Sequence, residues 1–213
     1  MKKLILIVLL AFGTLTYAQT KKGLFAEVQL GFSFISNTNN INNYFSNIYS
    51  DYKSGKIIAG NAGIVAGWQL FNRFSVMLET KYYSGSPLRR DAGNQYITLS
   101  GWCADISAEF AAINAENWAL SAKAGIGYDI STFFYSRKNP LIIKSYSYGN
   151  IFAPVILTCW IKNSNNNRHA FGIFAQYNVL IAKGKANITG LDYEENVPNV
   201  SMNSIEIGIR SRF

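Results

Sequence analysis

The stretch SIEIGIRSRF, residues 204–213, decides how the rest of the sequence is interpreted. Ile205, Ile207 and Ile209 alternate with polar residues or glycine, and the stretch ends on an aromatic residue, Phe213. An alternation of apolar and polar residues with a period of two is typical of a β-strand with two unlike faces. The stretch therefore predicts a strand whose apolar face is presented to one environment and whose polar face is presented to another.

The same alternation recurs along the chain and predicts eight strands, at residues 23–35, 58–70, 74–83, 96–111, 118–134, 148–161, 169–182 and 203–213. Short connections at 71–73, 112–117 and 163–168 alternate with longer polar ones at 36–57, 84–95, 136–147 and 183–202. This arrangement predicts an all-β, eight-stranded antiparallel up-and-down barrel. Residues 148–161 are apolar on both faces, so their orientation stays open, and Pro154 predicts a bulge there.

The period of two does not by itself say whether the apolar face is turned to a core or to lipid. In the seven strands with a clear phase, the apolar row carries no charge, as the lipid-facing row of a transmembrane barrel requires. The opposite row carries six acids and four bases, which a closed lumen would force to pair. We therefore predict a transmembrane barrel with a structural lumen ion network of Glu27, Glu79, Lys81, Asp105, Glu109, Lys123, Asp129, Glu206, Arg210 and Arg212. If the first and last strands pair, Glu27 meets Arg210, Arg212 or both.

Aromatic residues concentrate near the ends of the predicted strands, as in the interfacial girdles of membrane barrels. Near the short turns these are Trp68, Phe74, Phe110, Trp118, Phe171 and Phe213. Near the longer connections they are Tyr82, Tyr96, Phe133, Phe134 and Tyr135. The distribution favours lipid contact for the apolar face.

The terminal strand also resembles the C-terminal assembly signal of bacterial outer-membrane barrels, with Ile205, Ile207, Ile209 and Phe213 in the matching positions. Ser211 departs from the apolar or aromatic residue usual in that signal. In architecture the chain resembles the OmpA/OmpX-type barrels and a Bacteroidetes-type outer-membrane β-barrel family. The resemblance implies a bacterial outer-membrane location with both termini periplasmic, and recognition by the barrel-assembly machinery.

The first twenty residues have the three parts of a secretory signal peptide: two lysines, a short apolar segment, and small residues spaced for cleavage after Ala18. We therefore expect a signal peptide at residues 1–18 and one barrel domain at residues 19–213. Export disfavours a nucleic-acid role, although the formal charge is +8. Cys103 and Cys159 fall on non-neighbouring predicted strands with opposite orientations, so no disulfide is expected.

Candidate catalytic and metal-binding residues are sparse. His169 is the single histidine, and Phe171 rather than serine stands two residues after it, so the nucleophile that a general base requires is not in place. Glu79, Asp105 and Glu109 would serve as acid and base only if they were not neutralised by lysines. We expect no catalytic residue, no metal and no cofactor. Glycines of the polar row leave space for some water in the lumen, although eight strands are too few for a wide pore.

The longer connections carry the residues expected to meet partners. Basic residues there could contact lipopolysaccharide phosphates, and loop aromatics could form a plug or a contact surface; these are Lys53, Lys56, Arg89, Arg90, Arg137, Lys138, Tyr44, Phe45, Tyr49 and Tyr52. The function predicted is a non-enzymatic outer-membrane barrel acting in envelope structure or surface interaction. Three alternatives stay open: an accessory subunit of a larger outer-membrane secretion or assembly complex, a lipid-modifying enzyme, and a small passive channel.

Overall fold

The computed structural model describes residues 23–36, 57–71, 73–87, 95–137, 142–162, 169–183, 187–189 and 203–213. They form one antiparallel sheet of nine strands: β1 (Leu24–Ser36), β2 (Ile57–Phe71), β3 (Phe74–Pro87), β4 (Gln95–Asn114), β5 (Trp118–Arg137), β6 (Ile142–Lys162), β7 (Ala170–Lys183), β8 (Asn187–Thr189) and β9 (Asn203–Arg212). Over these ranges, no helix has the length and apolar character needed to span a membrane.

Eight of the strands close into a barrel. Each pairs with its neighbour in sequence from β1 to β7, β7 pairs with β9, and β9 pairs with β1, which leaves no open edge around the ring. The predicted eight-stranded antiparallel up-and-down barrel is therefore confirmed. The ninth strand, β8, was not predicted because three residues are too short to show an alternation, and it pairs only with Ser145–Ser147 of β6.

The apolar row and the polar row of the sequence lie on opposite faces of the barrel wall. Even-numbered residues of β1–β5 and odd-numbered residues of β6, β7 and β9 face outward, as Ile106 illustrates with 67% exposure. The opposite rows face the lumen, where Glu79 is fully buried. The orientation of β6, left open by its sequence, is settled by this pattern: Val155 and Leu157 face outward, while Ile156 and Trp160 face inward.

Pro154 lies in an irregular part of β6. The ladder between β5 and β6 lacks pairs at Ala153 and Pro154, and the register of β6 against β7 shifts slightly earlier, between Ile151 and Phe152. Proline has no backbone N–H to donate, so an interrupted ladder is the physical consequence.

Three strands are longer at one end of the barrel than the sequence predicted. β5 continues to Arg137 and β6 begins at Ile142, so most of the connection expected at 136–147 is strand. Beyond the last β3–β4 pair, Gly85 with Leu99, the four segments 95–98, 134–137, 142–147 and 187–189 continue as a sheet. We call these four segments the projecting sheet. Their tyrosines and isoleucines suit a strand, although their polar residues resemble a loop.

The aromatic positions require one correction. Trp68, Phe110, Trp118 and Phe171 are exposed near the short turns, but Phe133 and Tyr135 near the other end are buried. They do not belong to the predicted outer girdle, because the alternation of β5 continues without a break and turns odd-numbered residues inward. Exposed aromatics toward that end include Phe34, Tyr82, Trp102, Tyr128 and Tyr177.

Candidate functional site: the lumen and the barrel seam

Glu79 on β3 is the centre of a buried ion network. Its carboxylate lies 3.1 Å from Arg210 Nη2 and 3.7 Å from Lys81 Nζ, it pairs with Lys123, and it accepts a hydrogen bond from Gln29 Nε2 at 2.6 Å. The three cations come from β3, β5 and β9, so the network ties opposite walls of the barrel together. A buried carboxylate needs such partners because desolvation of an unpaired charge is costly.

The network extends upward to Glu206 on β9. Lys81 Nζ lies 2.8 Å from Glu206 Oε2, while Asn178 Nδ2 donates to the other oxygen at 2.6 Å. On the opposite wall, Lys123 Nζ lies 3.4 Å from Asp105. Lys81 and Lys123 therefore each serve two carboxylates.

The seam between the first and last strands is held by both predicted arginines. Arg210 Nη2 lies 3.1 Å from Glu27 Oε2, and Arg212 Nη2 lies 2.6 Å from Glu27 Oε1. Backbone hydrogen bonds close the same seam: Phe213 N donates to Ala26 O at 2.9 Å, and Ala26 N donates to Phe213 O at 3.2 Å. Side chains and backbone thus fix the register of β1 against β9.

Arg212 also closes the lumen at the short-turn end. Its guanidinium carbon lies 4.3 Å from the Phe25 ring centroid and 4.4 Å from that of Trp160, and it pairs with Glu109. Trp160 Nε1 donates to Ser121 Oγ at 2.9 Å. A guanidinium between two rings with a carboxylate beside it forms a packed floor.

Two lumen glycines make room for aromatic rings. A Cβ at Gly67 would lie 2.2 Å from the Phe25 ring, and one at Gly127 would lie 2.5 Å from Phe152. At these two positions, side chains occupy the space that the glycines leave. Eight strands enclose about the width that side chains fill.

Above the ion network lies a small cavity of about 30 Å³. Asp129 on its wall accepts hydrogen bonds from Tyr83, at 2.8 Å, and from Ser131. Asn150, the cross-strand neighbour of Asp129, also lines it, and Glu206 lies on the β9 side. This upper-lumen pocket lies on the side of the network toward the projecting sheet.

The candidate catalytic residues are engaged in packing or in ion pairs. His169 packs edge-on against Phe213, with ring centroids 5.8 Å apart, at the short-turn end. Glu79 and Asp105 are cross-strand partners that share Lys123, and Glu109 binds Arg212. Among the described residues no three His, Cys, Asp or Glu side chains are grouped to hold a metal.

The two cysteines are free, with Cys103 buried in the lumen and Cys159 on the outer surface. They lie on β4 and β6, which are separated by β5. This agrees with the expectation that no disulfide forms.

The remaining predicted site residues divide into two groups. Ile205, Ile207 and Ile209 face outward with 44–50% exposure, and Phe213 is half-buried beside His169. The signal peptide at 1–18 and the loop contacts lie outside the described residues; the loop residues are Lys53, Lys56, Arg89, Arg90, Lys138, Tyr44, Phe45, Tyr49 and Tyr52, together with the side chain of Arg137.

Several lumen residues were not assigned a role from the sequence. Gln29, Asn61, Tyr83 and Asn178 bond the network carboxylates, and Trp160 completes the floor. The first four lie in polar or mixed rows and could have been found by position. Trp160 could not, because its strand is apolar on both faces.

Comparison with known proteins finds similarity in structure alone. No family model matches, no curated protein matches, and nothing found supports the narrower Bacteroidetes-type family. A major outer-membrane protein of Thermus thermophilus superposes with a TM-score of 0.55 at 10% identity, covering 89% of this chain and 99% of that one.

Two further structures have the same architecture. Neisserial surface protein A gives a TM-score of 0.53 at 11% identity, covering 90% of this chain and 96% of that one. Ail of Yersinia pestis, solved with the heparin analogue sucrose octasulfate, gives a TM-score of 0.50 at 11% identity, covering 91% of this chain and 100% of that one. At such identities the likeness concerns the fold, and the chain is an eight-stranded closed antiparallel β-barrel of the architecture found in these outer-membrane proteins.

Proposed function

We propose that this protein is a non-enzymatic barrel of the bacterial outer membrane that acts in envelope structure or surface interaction through its projecting sheet. Location in a membrane is supported by the exposed, uncharged apolar rows, since apolar side chains turned to water would be costly. The short-turn end, which carries the first described residues and Phe213, would face the periplasm. This agrees with the short periplasmic turns of known barrels.

The observation that carries the interaction role is the contrast between the two ends of the barrel. One end is closed by the Arg212 floor, and the interior is filled by the ion network. The other end extends three strands and β8 past the rest of the ring. A filled barrel does not favour the channel interpretation, whereas a sheet held clear of the barrel offers surface to a partner.

A shortened hairpin tests this role. Phe133 and Tyr146 are cross-strand partners, so replacing residues 134–145 with Asn-Gly joins them through a two-residue turn. Partners captured by cross-linking on intact cells should be lost in this variant while the barrel still inserts. An unchanged set of captured partners, or recovery of the native protein without any partner, would contradict the proposal.

A notch in the outer surface supports the alternative role as an accessory subunit. It measures about 540 Å³ and crosses β9, β1, β2 and β3, where small Gly60 and Ala62 lie between Phe32 and Tyr82. Small residues allow close approach of a second membrane protein. Filling the notch with Gly60→Leu and Ala62→Leu should release any associated outer-membrane protein; co-purification that survives both substitutions would exclude this surface.

The contact with lipopolysaccharide through basic loop residues stays a prediction, and so does recognition of the terminal strand by the barrel-assembly machinery. A salt-sensitive preference of the purified barrel for lipopolysaccharide over neutral detergent micelles would support the first. Equal binding to lipopolysaccharide and to neutral micelles would contradict the lipopolysaccharide contact.

A further inference from the structure

We propose that the outer face of the barrel wall, at the base of the projecting sheet, binds the uncharged sugar headgroup of a neighbouring glycolipid. This inference rests on the outer-membrane location proposed above and names the partner of the surface. The face consists of hydroxyl residues with one aromatic ring among them: Ser84, Ser100, Thr132, Ser147, Phe134 and Ser145. We call these six residues the hydroxyl face.

The strand register brings four of these hydroxyl residues into one row. Ser84 pairs with Ser100, Ser100 pairs with Thr132, and Thr132 pairs with Ser147, so the row crosses β3, β4, β5 and β6 without a gap. Neighbouring strands lie about 4.8 Å apart, which sets the spacing of the row. Thr132 Oγ1 and Ser147 Oγ are 3.1 Å apart and share a hydrogen bond.

Phe134 and Ser145 continue the same face toward the tip of the projecting sheet. They are cross-strand partners, and each stands two residues from a member of the row, Phe134 from Thr132 and Ser145 from Ser147. Residues two apart in a strand lie on the same side of a sheet. Ser84 is exposed and the other five residues are partly exposed, so the face is open to a ligand from outside the barrel.

The hydroxyl face begins where the apolar exterior ends. In the next cross-strand row toward the short turns, Tyr82 pairs with Trp102 and Trp102 pairs with Ile130, all three with 40–60% exposure. Tyr128 leans toward the face, since a Cβ at Gly149 would lie 2.2 Å from its hydroxyl oxygen. Tyrosine and tryptophan concentrate at the membrane–water interface of membrane proteins. The hydroxyl face is therefore at the level of the lipid headgroups.

The chemistry of the face selects an uncharged ligand that is rich in hydroxyl groups. None of its six residues is charged, whereas phosphate recognition favours arginine or lysine. A serine or threonine hydroxyl both donates and accepts hydrogen bonds, as each hydroxyl of a sugar does. The Phe134 ring offers an apolar surface against which the C–H groups of a sugar can pack. A sugar headgroup satisfies both features.

Quenching of Trp102 by brominated lipids tests the proposal, because Trp102 stands two residues from Ser100 on the outward row of β4. A protein that keeps Trp102 as its single tryptophan is inserted in phosphatidylcholine vesicles. These contain, at equal mole fraction, either brominated digalactosyldiacylglycerol or brominated phosphatidylcholine. The galactolipid should associate beside Trp102 about twofold more strongly or better, as expected from one or more net hydrogen bonds.

Ser100→Ala with Thr132→Val should abolish this preference, because it removes two hydroxyl groups of the row and adds no charge. Thr80→Val is the matched control, since Thr80 is an outward threonine of β3 on the short-turn side of Tyr82, and it should keep the preference. A second protein that keeps only Trp118, near the short turns, should show no preference for the galactolipid. Its quenching by brominated phosphatidylcholine checks that each variant inserts.

The proposal is overturned if the galactolipid and phosphatidylcholine quench Trp102 equally, or if the preference survives Ser100→Ala with Thr132→Val. It is also overturned if brominated phosphatidylglycerol, an anionic lipid, is preferred to the galactolipid. In each case, quenching of Trp102 by phosphatidylcholine would leave the membrane location of the proposed function intact. Failure of every brominated lipid to quench Trp102 would contradict that location as well.

Discussion

At the scale of single residues, Glu79 shows how the lumen tolerates charge. It is fully buried and shares its carboxylate with Lys81, Lys123 and Arg210. Removing one member of a buried ion network lowers the free energy of unfolding by more than the net contribution of an isolated ion pair, because the remaining charges stay desolvated.

Glu79→Gln should therefore lower the free energy of unfolding by about 3–5 kcal/mol. The change is measured by urea unfolding of the vesicle-inserted barrel. Glu116→Gln, in the exposed β4–β5 turn, serves as the control and should change stability by less than about 0.5 kcal/mol. Equal stability of the two variants would show that the network does not stabilise the barrel.

Gly67 and Gly60 on β2 form a matched pair for testing how tightly the lumen is packed. Gly67→Ala places a methyl group against the Phe25 ring and should destabilise the barrel by about 1–3 kcal/mol. Gly60→Ala, whose Cβ would meet nothing within 4 Å, should be neutral or slightly stabilising. Unfolding curves of both variants decide the point, and a neutral Gly67→Ala would indicate a looser lumen than the structure shows.

At the scale of the strands, closure depends on the register between β1 and β9. Phe32 pairs with Ile207, and both side chains face outward. Cross-strand partners in an antiparallel pair have Cα separations of about 4.5–5.5 Å, within reach of a disulfide.

Phe32→Cys with Ile207→Cys, in a background of Cys103→Ala and Cys159→Ala, should therefore cross-link on oxidation. Gel mobility before and after reduction measures the bond. The pair Phe32→Cys with Ile126→Cys places the second thiol on β5 and should stay reduced. A bond in this control, or none in the seam pair, would contradict the closed register.

The strands also show how much the sequence could determine. Strict alternation in Leu24–Ser36 and Asn203–Arg212 was enough to predict the faces, the seam and its residues, because one shift of register would exchange every side chain between lumen and exterior. It failed for β6, where both faces are apolar, and for the projecting sheet, whose polar residues resemble a loop. The upper-lumen pocket depends on residues of seven different strands, which no local pattern brings together.

At the scale of the whole molecule, charged and apolar residues are distributed in the opposite way to those of a water-soluble domain. Its interior holds ten charged residues, while its described exterior rows are apolar. We infer from these apolar rows that the exterior contacts lipid. The tryptophans provide native probes, since Trp68, Trp102 and Trp118 face outward with 43–60% exposure while Trp160 faces the lumen with 3%.

Quenching by phospholipids brominated on their acyl chains measures the contact of each tryptophan with lipid. Single-tryptophan variants, with phenylalanine at the other three positions, are inserted in vesicles and checked for β-structure by circular dichroism. Trp102 should be strongly quenched and Trp160 should be quenched little, because Trp102 faces outward and Trp160 faces the lumen. Quenching of Trp160 that equals or exceeds that of Trp102 would contradict it.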